Sequence, residues 1–260
     1  VKAWFLPGLF LFLAMLLQRA IIFRAKRLKP DHVFETEHPL DEYFFHFNIG
    51  AEKFAINTVH IKSQQPKGMV FFLHGTLNHI QYHLPKATVF IENNYDVVMM
   101  DYPTYGKSTG KLTEDLLHAV VEETYRQTLE KIGQPERVYF IGRSLGTALA
   151  SRLATVFSPD GLVLISPYYS MPDLFRHKAA KVIPFKRLKF KLENHTYLPQ
   201  VTCPAYIIHG TEDRLIPISL AQKLIPFLPS EEHFITVPEA DHFNVHKKAM
   251  YHDWIQQLLR

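Results

Sequence analysis

From Met69 onward the chain alternates short apolar runs with longer amphipathic stretches. The runs Met69 to Leu73, Asp96 to Met100, Val138 to Ile141, Gly161 to Ile165, Ala205 to His209 and Phe234 to Val237 have the length and the bounding turns of buried strands. Between them, Glu114 to Ile132 sets Leu117, Val120, Val121, Thr124, Thr128 and Leu129 at roughly helical spacing with charges in the gaps. Thr113 is its expected N-cap, and Gly133 stops it. A second helical stretch spans Leu145 to Val156. Upstream, Phe44 to Ile49 and Ala55 to Ile61 read as an antiparallel pair joined by a short loop containing Gly50. An antiparallel start followed by alternating strands and helices predicts an α/β fold, with a mostly parallel eight-stranded sheet covered on both faces.

The N-terminal part follows another pattern. Ala3 to Leu17 carries no charge, and Ala20 to Phe23 extends the apolar stretch past Gln18 and Arg19. Ala3 to Phe23 approaches the roughly 20 residues that cross a hydrocarbon core, with Trp4 near one interface and Arg19 able to snorkel toward the other. We therefore expect residues 1–30 to be a membrane anchor with a basic flank, and residues 31–260 to be the globular domain. Arg19, Arg24, Lys26, Arg27 and Lys29 lie on the C-terminal side of the segment. By the positive-inside rule they orient a single-pass protein with its globular domain in the cytoplasm. Export through a signal peptide is the alternative, opposed by the basic residues after the apolar run and by the lack of a small-x-small cleavage site.

Composition refines this picture. At 260 residues and 47% hydrophobic content the chain can bury one sizeable core, and nothing in it repeats. Its formal charge of +4 is uneven. Between Asp173 and Glu193 lie Arg176, Lys178, Lys181, Lys186, Arg187, Lys189 and Lys191 with no acid among them. Outside this cluster and the anchor flank the chain is net acidic. Two basic patches on an acidic globule favour an anionic membrane surface as partner and argue against nucleic acid. The sole cysteine, Cys203, forbids an intramolecular disulfide and reads as a small buried hydrophobe.

The candidate chemistry centres on Gly142-Arg143-Ser144-Leu145-Gly146, between the strand ending at Ile141 and the helix from Leu145. A serine forced into a tight strand-to-helix turn holds strained backbone angles, so the residues two before and two after must be small. The turn lifts Oγ clear of the sheet, and the helix start aims free N–H groups at the same spot, where they can stabilise an oxyanion. His79 and His83 have an i, i+4 spacing, but no third ligand accompanies them, so no metal is expected. No phosphate-loop or dinucleotide fingerprint occurs, so no cofactor is expected.

His74-Gly75-Thr76, the run Asp101 to Gly110, the serine motif, the run His209 to Asp213 and Asp241-His242 follow one another in an order that resembles the α/β-hydrolase superfamily over residues 40–260. Within it the chain is similar to monoacylglycerol lipase-like and serine aminopeptidase-like members with small caps, some of them membrane-anchored depalmitoylases or lysophospholipases. The resemblance implies Ser144 as nucleophile, His242 as base and Asp213 as the acid that orients it. Asp241, adjacent to the histidine, and Glu212, adjacent to Asp213, are the other acids to weigh, and Asp101 is expected to brace its own loop. The resemblance also implies an oxyanion hole made by the Leu145 and Thr76 N–H groups. It places a short cap insert at about 166–201, whose Tyr168, Tyr169 and Phe175 would line an acyl pocket beside the basic cluster. The reaction so implied is hydrolysis of a lipid-like ester or thioester through an acyl-enzyme. Peptide hydrolysis and a non-catalytic membrane-bound binding module are the alternatives.

Overall fold

A computed structural model of the chain describes residues 18–178 and 188–260. Eight strands form one sheet: β1 (Leu40–Ile49), β2 (Glu52–Ile61), β3 (Gly68–Leu73), β4 (Tyr95–Met100), β5 (Val138–Arg143), β6 (Gly161–Ile165), β7 (Ala205–Gly210) and β8 (Phe234–Val237). Their spatial order is β8-β7-β6-β5-β3-β4-β2-β1. β2 runs antiparallel to both β1 and β4, and every other pairing is parallel. This is the mostly parallel eight-stranded sheet that the alternating pattern implied.

Helices cover both faces because the inner strands are apolar on both sides. The helices used below are α1 (Thr88–Glu92), α2 (Glu114–Ile132), α3 (Gly146–Ala154), α4 (Met171–Lys178) and α5 (Ala249–Leu258). Residues of α2 and α3 pack with Phe71, Val98, Phe140 and Leu164 in one core, whereas α1 and α5 pack with Val70, Phe72, Met99 and Ile141 in the other. The alternation of side chains along each strand thus divides one hydrophobic run between two cores. Thr113 caps α2 by accepting from the Leu116 N–H at 3.3 Å, and Gly133 ends the helix at φ +88°.

Three expectations are corrected. β1 and β2 are longer than the apolar runs Phe44 to Ile49 and Ala55 to Ile61. At the sheet edge, polar side chains such as Asp41 and Glu42 can face solvent while their backbone still pairs with β2. The end of the apolar N-terminal segment belongs to the globule. Ile22 and Phe23 are buried in the α2–α3 core, Phe23 lies edge-on to Phe190 at 4.7 Å, and Arg24–Ala25 pairs in parallel with Leu77–Asn78. Ala3 to Leu17 and Trp4 lie outside the described residues, as do Lys181, Lys186 and Arg187; among the described residues no helix is long and apolar enough to cross a membrane. Finally, Cys203 is partly exposed at the margin of the core, and burial still pushes its thiol up to about 11.

Candidate active site

The parallel strands end on one side of the sheet, and the turns that follow β3, β5, β7 and β8 carry the chemical groups there. Ser144 follows β5 at φ +52°, a left-handed conformation that a non-glycine residue holds only under surrounding constraint. The constraint is visible at both flanking glycines. A Cβ on Gly142 would meet the Gly146 carbonyl O at 2.6 Å, and one on Gly146 would meet the Leu73 carbonyl O at 2.0 Å. β3 and the start of α3 therefore approach more closely than any side chain permits.

Ser144 Oγ–H donates to His242 Nε2 at 3.1 Å, and His242 Nδ1–H donates to Asp213 Oδ2 at 2.7 Å. The other Asp213 oxygen accepts from the N–H groups of Leu215 and Ile216 at 2.9 and 2.7 Å, which fixes the carboxylate plane. Burial pushes Asp213 up, but the hydrogen bond and charge of His242 and the Ile216 N–H outweigh it and hold the carboxyl below its ordinary value. Burial also lowers His242, although Asp213 opposes that shift, so the ring stays neutral to lower pH than a free histidine. A neutral imidazole of this tautomer can take a proton from serine, and the ionised carboxylate can stabilise the cation that forms.

The competing acids have other positions. Asp241 accepts from the Phe243 and Asn244 N–H groups, both at 2.8 Å, and so closes the turn that carries His242. Glu212 is exposed. Asp101 is buried, accepts from the Ile80 N–H at 3.0 Å and lies 3.3 Å from His74 Nε2. His83 is buried too, stacked on His74 with its Nε2 bonded to the Leu77 carbonyl at 2.9 Å, and among the described residues no cluster of metal-ligating groups occurs.

A cavity of about 280 Å³ opens beside Ser144. Thr76, Leu145, His242, Tyr168 and Phe175 line it, together with Met171, Leu174, Leu215 and Ile216. Tyr169 does not. Its ring stacks on His195 at 4.2 Å instead. The N–H groups of Thr76 and Leu145 donate to no carbonyl among the turn and loop hydrogen bonds of the described residues. A cleft of similar size between Glu114, His118, Arg152 and Tyr197 includes none of these groups.

The sequence model of the hydrolase family described as Serine aminopeptidase, S33, matches residues 64–198, about half of the chain. The chain belongs to that family. It is an α/β-hydrolase. The matched region contains Ser144 but ends before Asp213 and His242, so the link among the three comes from the geometry. Over 164 residues this hydrolase is 30% identical to alpha/beta hydrolase domain-containing protein aho-3 of Caenorhabditis elegans, covering 61% of this chain and 47% of that one. It is 28% identical to alpha/beta hydrolase domain-containing protein 17B of Homo sapiens over 172 residues, 64% of this chain and 57% of the other. The chain spans about half the length of these relatives. Its fold matches that of a Pyrococcus furiosus esterase, Pf2001, at a TM-score of 0.69 and 15% identity, covering 91% and 96% of the two chains. It also matches a monoacylglycerol lipase of Paleococcus ferrophilus at 0.57 and 18%, covering 77% and 97%.

Two features of the hydrolase's site were not read from the sequence. Arg143, the residue before the serine, is buried, and its guanidinium donates to the His242 carbonyl O. Burial lowers its pKa, and it ties the nucleophile turn to the loop of the histidine. The second is the N-terminal segment, since Ile21, Ile22 and Arg24 form one wall of the cavity. Neither carries a local signal, because each acts on residues far away in the chain.

Proposed function

We propose that this protein is a membrane-tethered serine hydrolase that cleaves carboxylic ester or thioester bonds of lipid-like substrates. The observation that carries the reading is the Ser144–His242–Asp213 relay at the edge of an apolar cavity. Ser144 Oγ attacks the acyl carbon as His242 Nε2 accepts its proton, and Asp213 stabilises the imidazolium. The Thr76 and Leu145 N–H groups hold the oxyanion. Collapse expels the alcohol or thiol, which takes the proton from His242, and water activated by the same ring releases the acid from the acyl-enzyme. Tyr168 and Phe175 contact the acyl chain, as part of a small cap inserted after β6.

Membrane attachment is supported by the uncharged sequence Ala3 to Leu17 and by the basic residues after it, which also favour a cytoplasmic catalytic domain. The cavity lining favours a lipid over a peptide substrate. Among the described residues it contains Arg24, Arg143 and Lys178 and no carboxylate. An aminopeptidase must neutralise the ammonium of its substrate, whereas an acyl chain beside an anionic surface suits this lining.

A fluorophosphonate probe tests the nucleophile: the wild-type chain labels, and Ser144→Ala does not. p-Nitrophenyl esters of increasing acyl length, compared with aminoacyl p-nitroanilides, test the substrate. Ester turnover is expected to exceed anilide turnover and to rise from acetate to medium chains; faster anilide hydrolysis would overturn the lipid assignment.

A further inference from the structure

The Thr76 hydroxyl faces away from chemistry and toward the beginning of the described chain. It donates to the Ile22 carbonyl O and accepts from the Arg24 N–H at 3.3 Å. Directly after it, Leu77 and Asn78 pair in parallel with Arg24 and Ala25, and the Asn78 carbonyl accepts from the Lys26 N–H at 3.4 Å. The segment making these contacts is itself fixed. Ile22 and Phe23 are buried, and the Gly106 N–H donates to the Lys26 carbonyl at 2.8 Å. From the other side, Tyr105 OH donates to the Thr76 carbonyl at 2.9 Å and Tyr102 OH to the His74 carbonyl at 2.7 Å. The peptide between Gly75 and Thr76 is therefore bracketed, with tyrosines on one side and residues 22–24 on the other.

We propose that residues 22–24 are a strap that aims the Thr76 amide at the oxyanion, with the Thr76 hydroxyl as the positioning group. This rests on the serine-hydrolase reading and extends it to a segment that the nucleophile, base and acid do not touch. Gly75 has no side chain of its own, its carbonyl accepts from His74 Nδ1–H at 2.8 Å, and the amide must be in place before the tetrahedral intermediate forms, since preorganised donors are what stabilise developing charge. The His74 bond holds the carbonyl end of this peptide, and the two hydrogen bonds at the Thr76 side chain fix its amide end. The strap also walls the acyl cavity through Ile22 and Arg24, so the same few residues meet the acyl chain and hold the oxyanion donor.

Thr76→Val keeps the branched shape and deletes both hydrogen bonds; Thr76→Ser keeps both. With p-nitrophenyl butyrate, Thr76→Val should lower kcat about 10- to 100-fold with KM within about twofold of wild type, the scale of a misplaced oxyanion donor. Thr76→Ser should stay within about threefold of wild-type kcat. A trifluoromethyl ketone, whose hemiketal mimics the oxyanion, should lose affinity for Thr76→Val in parallel with kcat, while the acid limb of the pH profile stays in place because His242 is untouched. A Val variant with kcat within twofold of wild type overturns the proposal. So does a Ser variant as slow as Val, or a rise in KM with kcat unchanged, which would make the hydroxyl a substrate contact. If Thr76→Val does not fold, Thr76→Ser against Thr76→Ala makes the same comparison by the same criteria. A wild-type chain that neither labels with the fluorophosphonate nor turns over any ester overturns the hydrolase reading, and this proposal with it; an active wild type with an undiminished Val variant overturns the strap alone.

Discussion

Ser144 sits at a left-handed φ because the two glycines beside it let a strand and a helix close on the turn, and its Oγ–H then meets His242 without rearrangement. On the proposed reaction, Ser144→Ala should reduce kcat for a p-nitrophenyl ester by about 10⁴-fold or more, and Asp213→Asn by a comparable factor through loss of the correct imidazole tautomer. Near-wild-type turnover by either variant would remove the relay from the mechanism. The protonation state of His242 gives a second prediction. Protonation blocks a general base, and burial sets this ring below its ordinary 6.5. The acid limb of kcat/KM should therefore fall below pH 6.5, and a limb above 7 would contradict the burial argument. At this scale the sequence exposes residues whose backbone is special. Ser144 was legible because its turn demands small residues at fixed neighbouring positions. The Arg143 contact was not, since its partner His242 is 99 positions away and no local geometry selects it.

The elements that carry these residues differ in how much of them is written locally. α2 is announced by apolar spacing, a threonine cap and a terminating glycine, and it forms with those bounds. Thr113→Ala should remove about 1 kcal/mol through the lost N-cap bond and lower Tm by about 2–4 °C while leaving ester turnover unchanged. A thermal melt paired with an activity assay checks both halves. Gly146→Ala is expected to be far worse, because its Cβ would sit 2.0 Å from the Leu73 carbonyl and neither backbone can yield without moving the nucleophile. Overpacking at the upper end of its usual range, about 3 kcal/mol, corresponds to a Tm loss of roughly 6–12 °C, together with a loss of fluorophosphonate labelling. A Gly146→Ala variant with native Tm and labelling would show that the closeness of β3 and α3 is not required. β1 shows the opposite case. Its first residues, Leu40 to Tyr43, include two acids and were not read as strand, because edge pairing with β2 is a property of the neighbour and not of the segment.

At the scale of the whole molecule, one end of the sheet gathers turns from β3, β5, β7 and β8, and two further segments complete the cavity: α4, and the strap that follows the uncharged N-terminal sequence. If the chain is tethered as proposed, it should sediment with membranes, resist extraction by high salt or alkaline carbonate and dissolve in detergent. Protease added outside sealed vesicles of cytoplasm-inside orientation should leave the hydrolase domain intact. Release by salt alone would reduce the attachment to electrostatics, and outside cleavage of the domain would reverse the orientation. The candidate acid and base were implied by the resemblance of the motif order to a known superfamily, but by itself the sequence determined the α/β class, the alternation of strand and helix and the nucleophile turn. These depend on periodicity and on backbone demands that neighbouring residues satisfy. Only the tertiary structure decided which aspartate faces the imidazole, that Tyr169 turns away from the cavity, that Arg143 holds the histidine loop and that Ile22 and Arg24 reach the Thr76 hydroxyl. Those contacts join residues far apart in the chain, and such proximity is set by packing, which no local pattern of residues encodes.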